Sequence, residues 1–388
     1  MNREEFFSAM AETVTLRRMI VDYQLMTVTD PAHTGTLANA LHGLKEAQER
    51  LDLNMSYEIE ELEKDVLYLR EGDDALFNYL GRLNDSFERD VDSVIRYLDD
   101  LPTHVLVTDR DGTVNNYCAR YRTSVQSVYN AVYLTLYARN RTRTPVILTS
   151  APLEPEGILE VMTTPRHTFI IAGSKGREFL DQQGRRHEVP IPEEQRHAIE
   201  KVNSELEKIV GQRKYRRFAE IGSGLQKKFG QTAVSYQDVH GSIEPDEAVA
   251  FRNKVVDLVR RQDPASRILH IEDTGRDLEI ILSADASSPG KPPRDFDKAD
   301  GVHFIDSAVP LKLAETPALV CGDTASDIPM MEHVAKTSPD SRAILVTSDS
   351  DLIARAKSAV PGLLPVSTPD SLVIAMGHLG RAAARGVA

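Results

Sequence analysis

The 388-residue chain has no tryptophan, only two cysteines and no long uninterrupted apolar run. Because Cys118 and Cys321 cannot supply the disulfide framework of a small secreted domain, we expect a reducing, cytoplasmic environment. No apolar run approaches the ~20 residues that a membrane-spanning helix needs, and the first residues do not resemble a secretory signal. The sequence therefore predicts no membrane partner.

Positive charge is also in short supply. The chain has 46 Lys and Arg against 59 Asp and Glu, for a formal net charge of −13. An acidic surface repels polyanions, so we expect no nucleic-acid partner. A phosphorylated small molecule would have to be drawn in by a local group of basic side chains.

The distribution of glycine and of apolar spacing divides the chain. The first 100 residues have few glycines and carry apolar residues at helical spacing, which predicts an antiparallel bundle of three helices with an interruption at Gly72 in the third. A strand and helix pattern follows Pro102, and shorter strands and hairpins replace it between about residues 153 and 295. We predict an α/β protein with a helical bundle at 1–100, a Rossmann-like core at 101–152 and 294–388, and an inserted α+β cap at 153–293.

The residues after the first predicted core strand carry the strongest signal. The apolar strand Val105 to Thr108 ends at Asp109, and Asp111 and Gly112 follow. Carboxyl ends of parallel strands form the ligand-binding edge of an open α/β sheet. Two carboxylates this close repel each other unless a cation lies between them, which implies Mg2+. An ordinary Asp-x-Asp-Gly turn is the simpler alternative. A calcium loop is excluded because Val114 and Arg120 occupy its glycine and glutamate positions.

Three further segments repeat this arrangement downstream. A second strand ends at Thr149 and Ser150, a third is followed by Gly322, Asp323 and Asp327, and Lys298 precedes that third strand. In this order the four segments resemble the motifs of the haloacid dehalogenase-like hydrolases: DxDGT, a Ser or Thr after a strand, a Lys, and GDxxxD. The resemblance implies a Rossmann-like core with an inserted cap of the C2 type.

The same resemblance implies catalytic roles. Asp109 would attack a phosphorus atom and form an aspartyl-phosphate, and Asp111 would act as general acid and then as general base. Thr149, chosen over Ser150 by its register, would bind the phosphoryl group, as would the backbone after Asp109 at Gly112 and Thr113.

Lys298 is the implied source of positive charge near the phosphoryl group. It is chosen over Lys291 and Arg294 because residues 297–302 resemble the lysine motif of the family, with Asp297 and Ala299 as departures.

The implied metal ligands come from two strand ends. Asp109 and Asp323 would offer carboxylates to Mg2+, Asp111 would offer its main-chain carbonyl, and Asp327 would lie one helical turn after Asp323 and orient it.

Three cap segments resemble those of trehalose-6-phosphate phosphatases. They are residues 172–178, which match G-x-[HW]-G-x-E with Lys175 at the aromatic or histidine position, residues 226–236, with Lys228 at the motif lysine, and residues 276–280, with Glu279. The resemblance implies that Arg177, Glu178, Lys228 and Glu279 bind substrate, and carboxylates suit vicinal hydroxyls.

The expected function is Mg2+-dependent hydrolysis of trehalose 6-phosphate to trehalose and phosphate. Three alternatives stay open: a phosphatase for another sugar phosphate, such as sucrose phosphate or mannosyl-3-phosphoglycerate; a phosphomutase; and a non-catalytic regulator that senses a sugar phosphate. A phosphorylated aspartate must be shielded from bulk water, so hinges for cap closure are predicted near residues 152–156 and 289–293.

The N-terminal helices resemble a microtubule-interacting-and-transport domain and carry no catalytic constellation. They are expected to form a homo-oligomer, to contact a protein partner, or to cover one side of the core.

Overall fold

The computed structural model describes residues 2–28, 30–48, 50–51, 53–283 and 295–386. The helices of this part are α1 (Arg3–Leu25), α2 (Pro31–Gln48), α3 (Ser56–Glu71), α4 (Asp73–Leu83), α5 (Phe87–Leu98), α6 (Val128–Arg141), α7 (Ile158–Val161), α8 (Glu193–Val210), α9 (Pro245–Gln262), α10 (Lys298–Ala308), α11 (Ile328–Thr337), α12 (Ser350–Ala359) and α13 (Pro369–Gly386). The strands are β1 (His104–Thr108), β2 (Thr142–Leu148), β3 (Ile170–Gly173), β4 (Glu178–Leu180), β5 (Arg186–Glu188), β6 (Leu225–Lys228), β7 (Gln231–Ser235), β8 (Leu269–Asp273), β9 (Asp277–Leu282), β10 (Ala318–Gly322), β11 (Ser341–Val346) and β12 (Leu364–Val366).

The core is an eight-stranded sheet in the order β12-β11-β10-β1-β2-β3-β4-β5. The strands from β12 to β3 pair in parallel, and β4 and β5 pair antiparallel at one edge. Alternate residues of the central strands belong to two separate apolar clusters: Leu106 and Ile147 face α6 and α13, whereas Val107 and Val146 face α10 and α11. Both faces of the sheet are thus covered by helices, which explains the continuous apolar runs of β1, β2 and β10.

The inserted cap is smaller than the sequence predicts. Its own sheet has the order β6-β7-β9-β8, all antiparallel, and packs against α8 and α9. We expected the cap to begin at residue 153, but β3 pairs in parallel with β2 through Val146 and Ile170, so residues 170–188 extend the core sheet. The sequence of the short hairpin β4-β5 resembles that of a cap hairpin because β4 and β5 form an antiparallel edge of the core sheet. The cap therefore starts after β5.

The α/β class, the inserted α+β cap and the N-terminal helical region are confirmed. The predicted hinge at residues 152–156 lies in the segment between β2 and α7, and the one at residues 289–293 lies outside the described residues. No described helix is both long enough and apolar enough to cross a membrane.

The described part of the N-terminal region has five helices, because the third predicted helix breaks at Gly72 and again at residues 84–86. Its helices do not enclose a core of their own: α1 packs on α6, α5 packs on α13, and their apolar residues join the cluster of the core sheet. Asp65 of α3 links three elements, since its Oδ2 lies 2.6 Å from Nε of Arg17 on α1 and its Oδ1 accepts a hydrogen bond of 2.6 Å from the amide of Val128 on α6. The region covers one side of the core.

The first core helix starts later than the sequence predicts. The apolar spacing of residues 121–139 predicts one continuous helix, but α6 begins at Val128, after a single 3-10 turn at Tyr121–Thr123. The side chains that would have started the helix have other partners, because Thr123 donates to Glu58 of α3 and Ser124 donates to Asp111. These contacts hold the segment in a loop.

A buried histidine at the start of β1 gives a prediction for stability. The ring of His104 is fully buried between the carbonyl of Pro102, 2.9 Å from Nδ1, and the hydroxyl of Tyr137, 3.0 Å from Nε2. Burial lowers the pKa of His104 to about 4. Since the unfolded chain takes up this proton near pH 6.5, stability is complete above that pH and is lost as the pH falls towards 4.

We expect this one group to remove about 2 kcal/mol of unfolding free energy between pH 7.5 and pH 5. Urea unfolding of the parent and of His104→Gln at both values measures it, because the other titrating groups are common to both chains. Equal pH dependence in the two proteins would contradict the prediction.

Candidate active site

The register of the sheet brings the two acidic strand ends together. β1 and β10 pair in parallel with Thr108 opposite Cys321, so Asp109 and Asp323 emerge at the same edge. Carboxylate oxygens of Asp109, Asp323 and Asp327 lie within 4.8 Å of one another. The sequence could predict this convergence because parallel strands end at one edge.

Gly112 makes the close approach of the two strand ends sterically possible. Its φ is +87°, a conformation that residues with a side chain rarely adopt. A Cβ at this position would lie 2.1 Å from Oδ2 of Asp323. The Oγ of Thr113 then reaches under both carboxylates, 3.2 Å from Oδ1 of Asp323 and 3.4 Å from Oδ2 of Asp109. Gly112 and Thr113 thus form the floor of the acidic cluster and do not line the cleft above it.

Lys298 lies at the centre of the cluster. It is the first residue of α10, whose N-terminus is capped by Asp297, which accepts hydrogen bonds from the amides of Ala299 and Asp300. Its Nζ lies 2.6 Å from Oδ1 of Asp109 and 2.5 Å from Oδ1 of Asp327. Although burial opposes its charge, the two carboxylates raise the pKa of Lys298. Its predicted alternatives, Lys291 and Arg294, lie outside the described residues.

Asp327 has little bonding capacity left for a metal ion. Its Oδ1 accepts from Lys298, and its Oδ2 accepts from the amides of Asp323 and Thr324 at 3.1 and 2.9 Å. In this arrangement Asp327 fixes the turn that carries Asp323 and holds the ammonium of Lys298 in place. Of its two predicted roles, ligand and orienting residue, the geometry favours the second.

The acidic cluster fits a hard cation. Burial raises the pKa of Asp323, and the charges of Asp109 and Asp327 raise it further. Burial also raises the pKa of Asp109, against the opposing charge of Lys298. One ammonium thus does not compensate three carboxylates, and oxygen atoms of Asp109 and Asp323 are the donors that Mg2+ prefers.

Asp111 is held slightly further out. Arg110, itself buried, pairs with Oδ1 of Asp111, and Oγ of Ser124 donates to the same oxygen at 3.0 Å. Both contacts are to Oδ1, so Oδ2 is available to a ligand in the cleft. Arg110 and Ser124 were not predicted as positioning residues. The position of Arg110 between two aspartates could have indicated its role. Ser124 could not be found in this way, because the sequence pattern places it in a helix and the structure places it in the loop before α6.

The second strand end contributes a hydroxyl group. Thr149 is buried, and its Oγ accepts from the amide of Ala151 at 3.1 Å, which leaves its hydrogen free to be donated into the cleft. Ser150, the alternative to Thr149 in the sequence, also lines the cleft.

The cap forms the opposite wall of the cleft. Lys228 on β6 and Glu279 on β9 both line it, with Nζ of Lys228 3.4 Å from Oε1 of Glu279. Gln231 donates to Oε2 of Glu279 at 2.6 Å, and Lys175, from the core, approaches the same oxygen at 3.7 Å. The cleft therefore has acidic and basic groups on its core side and hydrogen-bonding groups on its cap side.

Arg177 and Glu178 do not join this wall. Arg177 is buried, with its guanidinium donating to the carbonyl of Gly230. Glu178 is buried, and its carboxylate accepts hydrogen bonds from the amide of Leu153, between β2 and α7, at 3.2 Å and from Arg186 at 2.6 Å. Neither residue lines the cleft, because both lie where β3 leads into β4. These two strands belong to the core sheet, whereas the sequence predicted that they belong to the cap.

Helix α3 supports the loop that follows the first two aspartates. The buried carboxylate of Glu58 accepts from Arg120 at 2.8 Å and from Thr123 at 2.5 Å. The hydroxyl of Tyr57 donates to the carbonyl of Val125 at 3.1 Å. The N-terminal region thus contacts the segment that positions Asp111, and no local sequence pattern predicts such a contact.

Replacing Asp323 tests the charge balance of the cluster. Because the raised pKa of this carboxyl reflects an unfavourable charge in the folded state, Asp323→Asn is expected to raise the unfolding free energy in EDTA by at least about 1 kcal/mol at pH 8 and by less at pH 5. Mg2+ is expected to stabilise the parent and not this variant. Thermal unfolding with EDTA or Mg2+ measures both effects, with the exposed Asp351→Asn as control. Equal stabilisation of both chains by Mg2+ would contradict the assignment.

The sequence of the chain is similar to those of known phosphatases. The family model described as trehalose-6-phosphate phosphatase, C-terminal, matches residues 106–372, more than half of the chain. The chain is 32% identical over 282 residues to the trehalose-phosphatase of Caenorhabditis briggsae, covering 70% of this chain and 63% of that one. It is 28% identical over 368 residues to the trehalose-phosphatase of Brugia malayi, with 85% and 73% covered.

Longer relatives match the chain as well. The chain is 28% identical over 370 residues to an alpha,alpha-trehalose-phosphate synthase [UDP-forming] of Aphelenchoides avenae, covering 87% of this chain and 28% of that protein. It spans less than a third of the length of the first three synthases that it matches. The family model, together with the four motifs at one sheet edge, shows that this chain belongs to the trehalose-6-phosphate phosphatase family of the haloacid dehalogenase-like hydrolases.

Proposed function

We propose that this chain hydrolyses trehalose 6-phosphate to trehalose and phosphate through an aspartyl-phosphate on Asp109, with Mg2+ as cofactor. The observation that carries the proposal is the buried contact of 2.6 Å between Lys298 and Asp109 at the floor of a cleft whose far wall is the cap. A carboxylate that lies beside a fixed ammonium and lines the cleft is equipped to be a nucleophile.

In the first displacement an oxygen of Asp109 forms a bond to phosphorus while the bond from phosphorus to the sugar oxygen breaks. Lys298 and the hydroxyl of Thr149 stabilise the negative charge that develops on the phosphoryl oxygens. Asp111, in its protonated form, gives its proton to the leaving sugar oxygen. Trehalose is then released and the phosphoryl group stays on Asp109.

In the second displacement a water molecule attacks the phosphorus of the aspartyl-phosphate. Asp111, now ionised, takes a proton from that water, and the bond between phosphorus and Asp109 breaks to release phosphate. Arg110 and Ser124 hold Asp111 by one oxygen, so the other can serve both proton transfers without moving its side chain. When bound by Asp109, Asp323 and the main-chain carbonyl of Asp111, Mg2+ would offset the charge between the anionic nucleophile and the anionic substrate.

The cap supplies the groups that recognise the sugar. Glu279 can accept hydrogen bonds from hydroxyl groups, and Lys228 can donate to a hydroxyl or to the phosphate. Arg177 supports this wall indirectly, since its buried guanidinium donates to the carbonyl of Gly230 between β6 and β7, whereas Glu178 is buried within the core.

Phosphate release from a panel of esters tests the proposal. We expect the parent to prefer trehalose 6-phosphate over sucrose phosphate, mannosyl-3-phosphoglycerate and glucose 6-phosphate, and to need Mg2+. Asp109→Asn is expected to lower kcat by ~10³-fold or more because the nucleophile is lost, whereas Asp351→Asn on the exposed start of α12 is expected to retain it.

Two results would overturn the proposal. A clear preference for another sugar phosphate would assign a different substrate. No phosphate release by the parent, with Asp109→Asn behaving identically, would indicate that the chain senses a sugar phosphate and does not hydrolyse it.

A further inference from the structure

An exposed tyrosine stands in the wall of the cleft, between the core aspartates and the cap. Tyr117 is 62% exposed and is the aromatic residue among the large exposed apolar side chains of the described residues. It lines the same cleft as Asp109 and Asp111 on the core side and Glu279 on the cap side. It has no part in the phosphoryl transfer described above.

The backbone around Tyr117 is firmly held. On one side Nδ2 of Asn116 donates to Glu61 of α3 at 2.9 Å and to Asp370 of α13 at 3.0 Å. On the other side Cys118 is buried, with its Sγ 3.9 Å from Oε1 of Glu58. Between two anchored neighbours Tyr117 alone is presented to solvent, so its exposure results from a rigid loop and is not that of a loose surface chain.

The loop also contacts the cap. The amide of Tyr121 donates to the carbonyl of Gly222 at 3.1 Å, and Gly222 and Ser223 line the cleft beside Tyr117. Tyr117 thus lines the cleft where the loop after Asp111 meets the cap.

We propose that Tyr117 is a specificity-determining residue whose ring packs against the sugar part of the substrate. This inference rests on the proposed function. The other side chains of the cleft are mostly charged or hydrogen-bonding, which suits hydroxyl groups and phosphate, whereas a hexose also has an apolar face of C–H groups. An exposed ring on a rigid loop is the complement of such a face, since covering it removes apolar surface from water without ordering the loop.

Steady-state kinetics of Tyr117→Ala and Tyr117→Phe tests this assignment. Loss of the ring is expected to raise KM for trehalose 6-phosphate about tenfold, with kcat within about threefold of the parent. Tyr117→Phe is expected to keep the parent KM because the ring is retained. Competitive inhibition by inorganic phosphate, which reports on the core site alone, is expected to be unchanged in both variants. Leu83→Ala, an exposed apolar residue at the end of α4, is the matched control.

The outcomes separate this inference from the proposed function. A KM for Tyr117→Ala within twofold of the parent, or an equal loss of affinity for inorganic phosphate, would overturn the role of Tyr117 while hydrolysis by the parent stands. If the parent prefers another sugar phosphate, the proposed substrate is wrong, and the same tenfold rise in KM measured with that ester supports Tyr117. If the parent hydrolyses no sugar phosphate, both proposals are overturned.

Discussion

The contact between Lys298 and Asp109 is the interaction on which the rest of the site depends. Three carboxylates from two strand ends, with Asp109 and Asp327 buried and Asp323 half-buried, surround one ammonium group, which Asp109 and Asp327 share. Burying charges is costly unless they are paired, so this cluster stays negative and favours a further cation. The same imbalance that destabilises the cluster makes it suitable for Mg2+.

The fold supplies that contact by bringing distant parts of the chain together. Parallel pairing aligns Asp109 with Asp323, and the positive φ of Gly112 lets the turn after β1 pass beneath the second carboxylate. The β3-β4 junction packs on α10, where a Cβ on Gly176 would lie 2.5 Å from Cα of Gly301, so this junction fixes the helix that begins with Lys298. Gly176, which belongs to the segment 172–178 that was expected in the cap, thus packs within the core.

The catalytic cluster could be predicted from the sequence because each member follows a strand or starts a helix. Asp109, Thr149, Lys298 and Asp323 converge as the motif order requires. The boundary of the cap could not be predicted from the sequence, because a short antiparallel edge such as β4-β5 has the same local pattern as a hairpin of the cap. For this reason we expected Arg177 and Glu178 to line the cleft, whereas both are buried outside it. The contacts of α3 with the loop after β1 join residues about 60 positions apart, and no local pattern reports them.

Identification of the phosphorylated residue during turnover tests the central claim most directly. The full chain, mixed with trehalose 6-phosphate and Mg2+ and quenched with acid within milliseconds, can be digested and sequenced by mass spectrometry. The account predicts an acid-stable, hydroxylamine-sensitive phosphoryl group on Asp109. Turnover with the phosphoryl group on another residue, or with none trapped on Asp109, would contradict it.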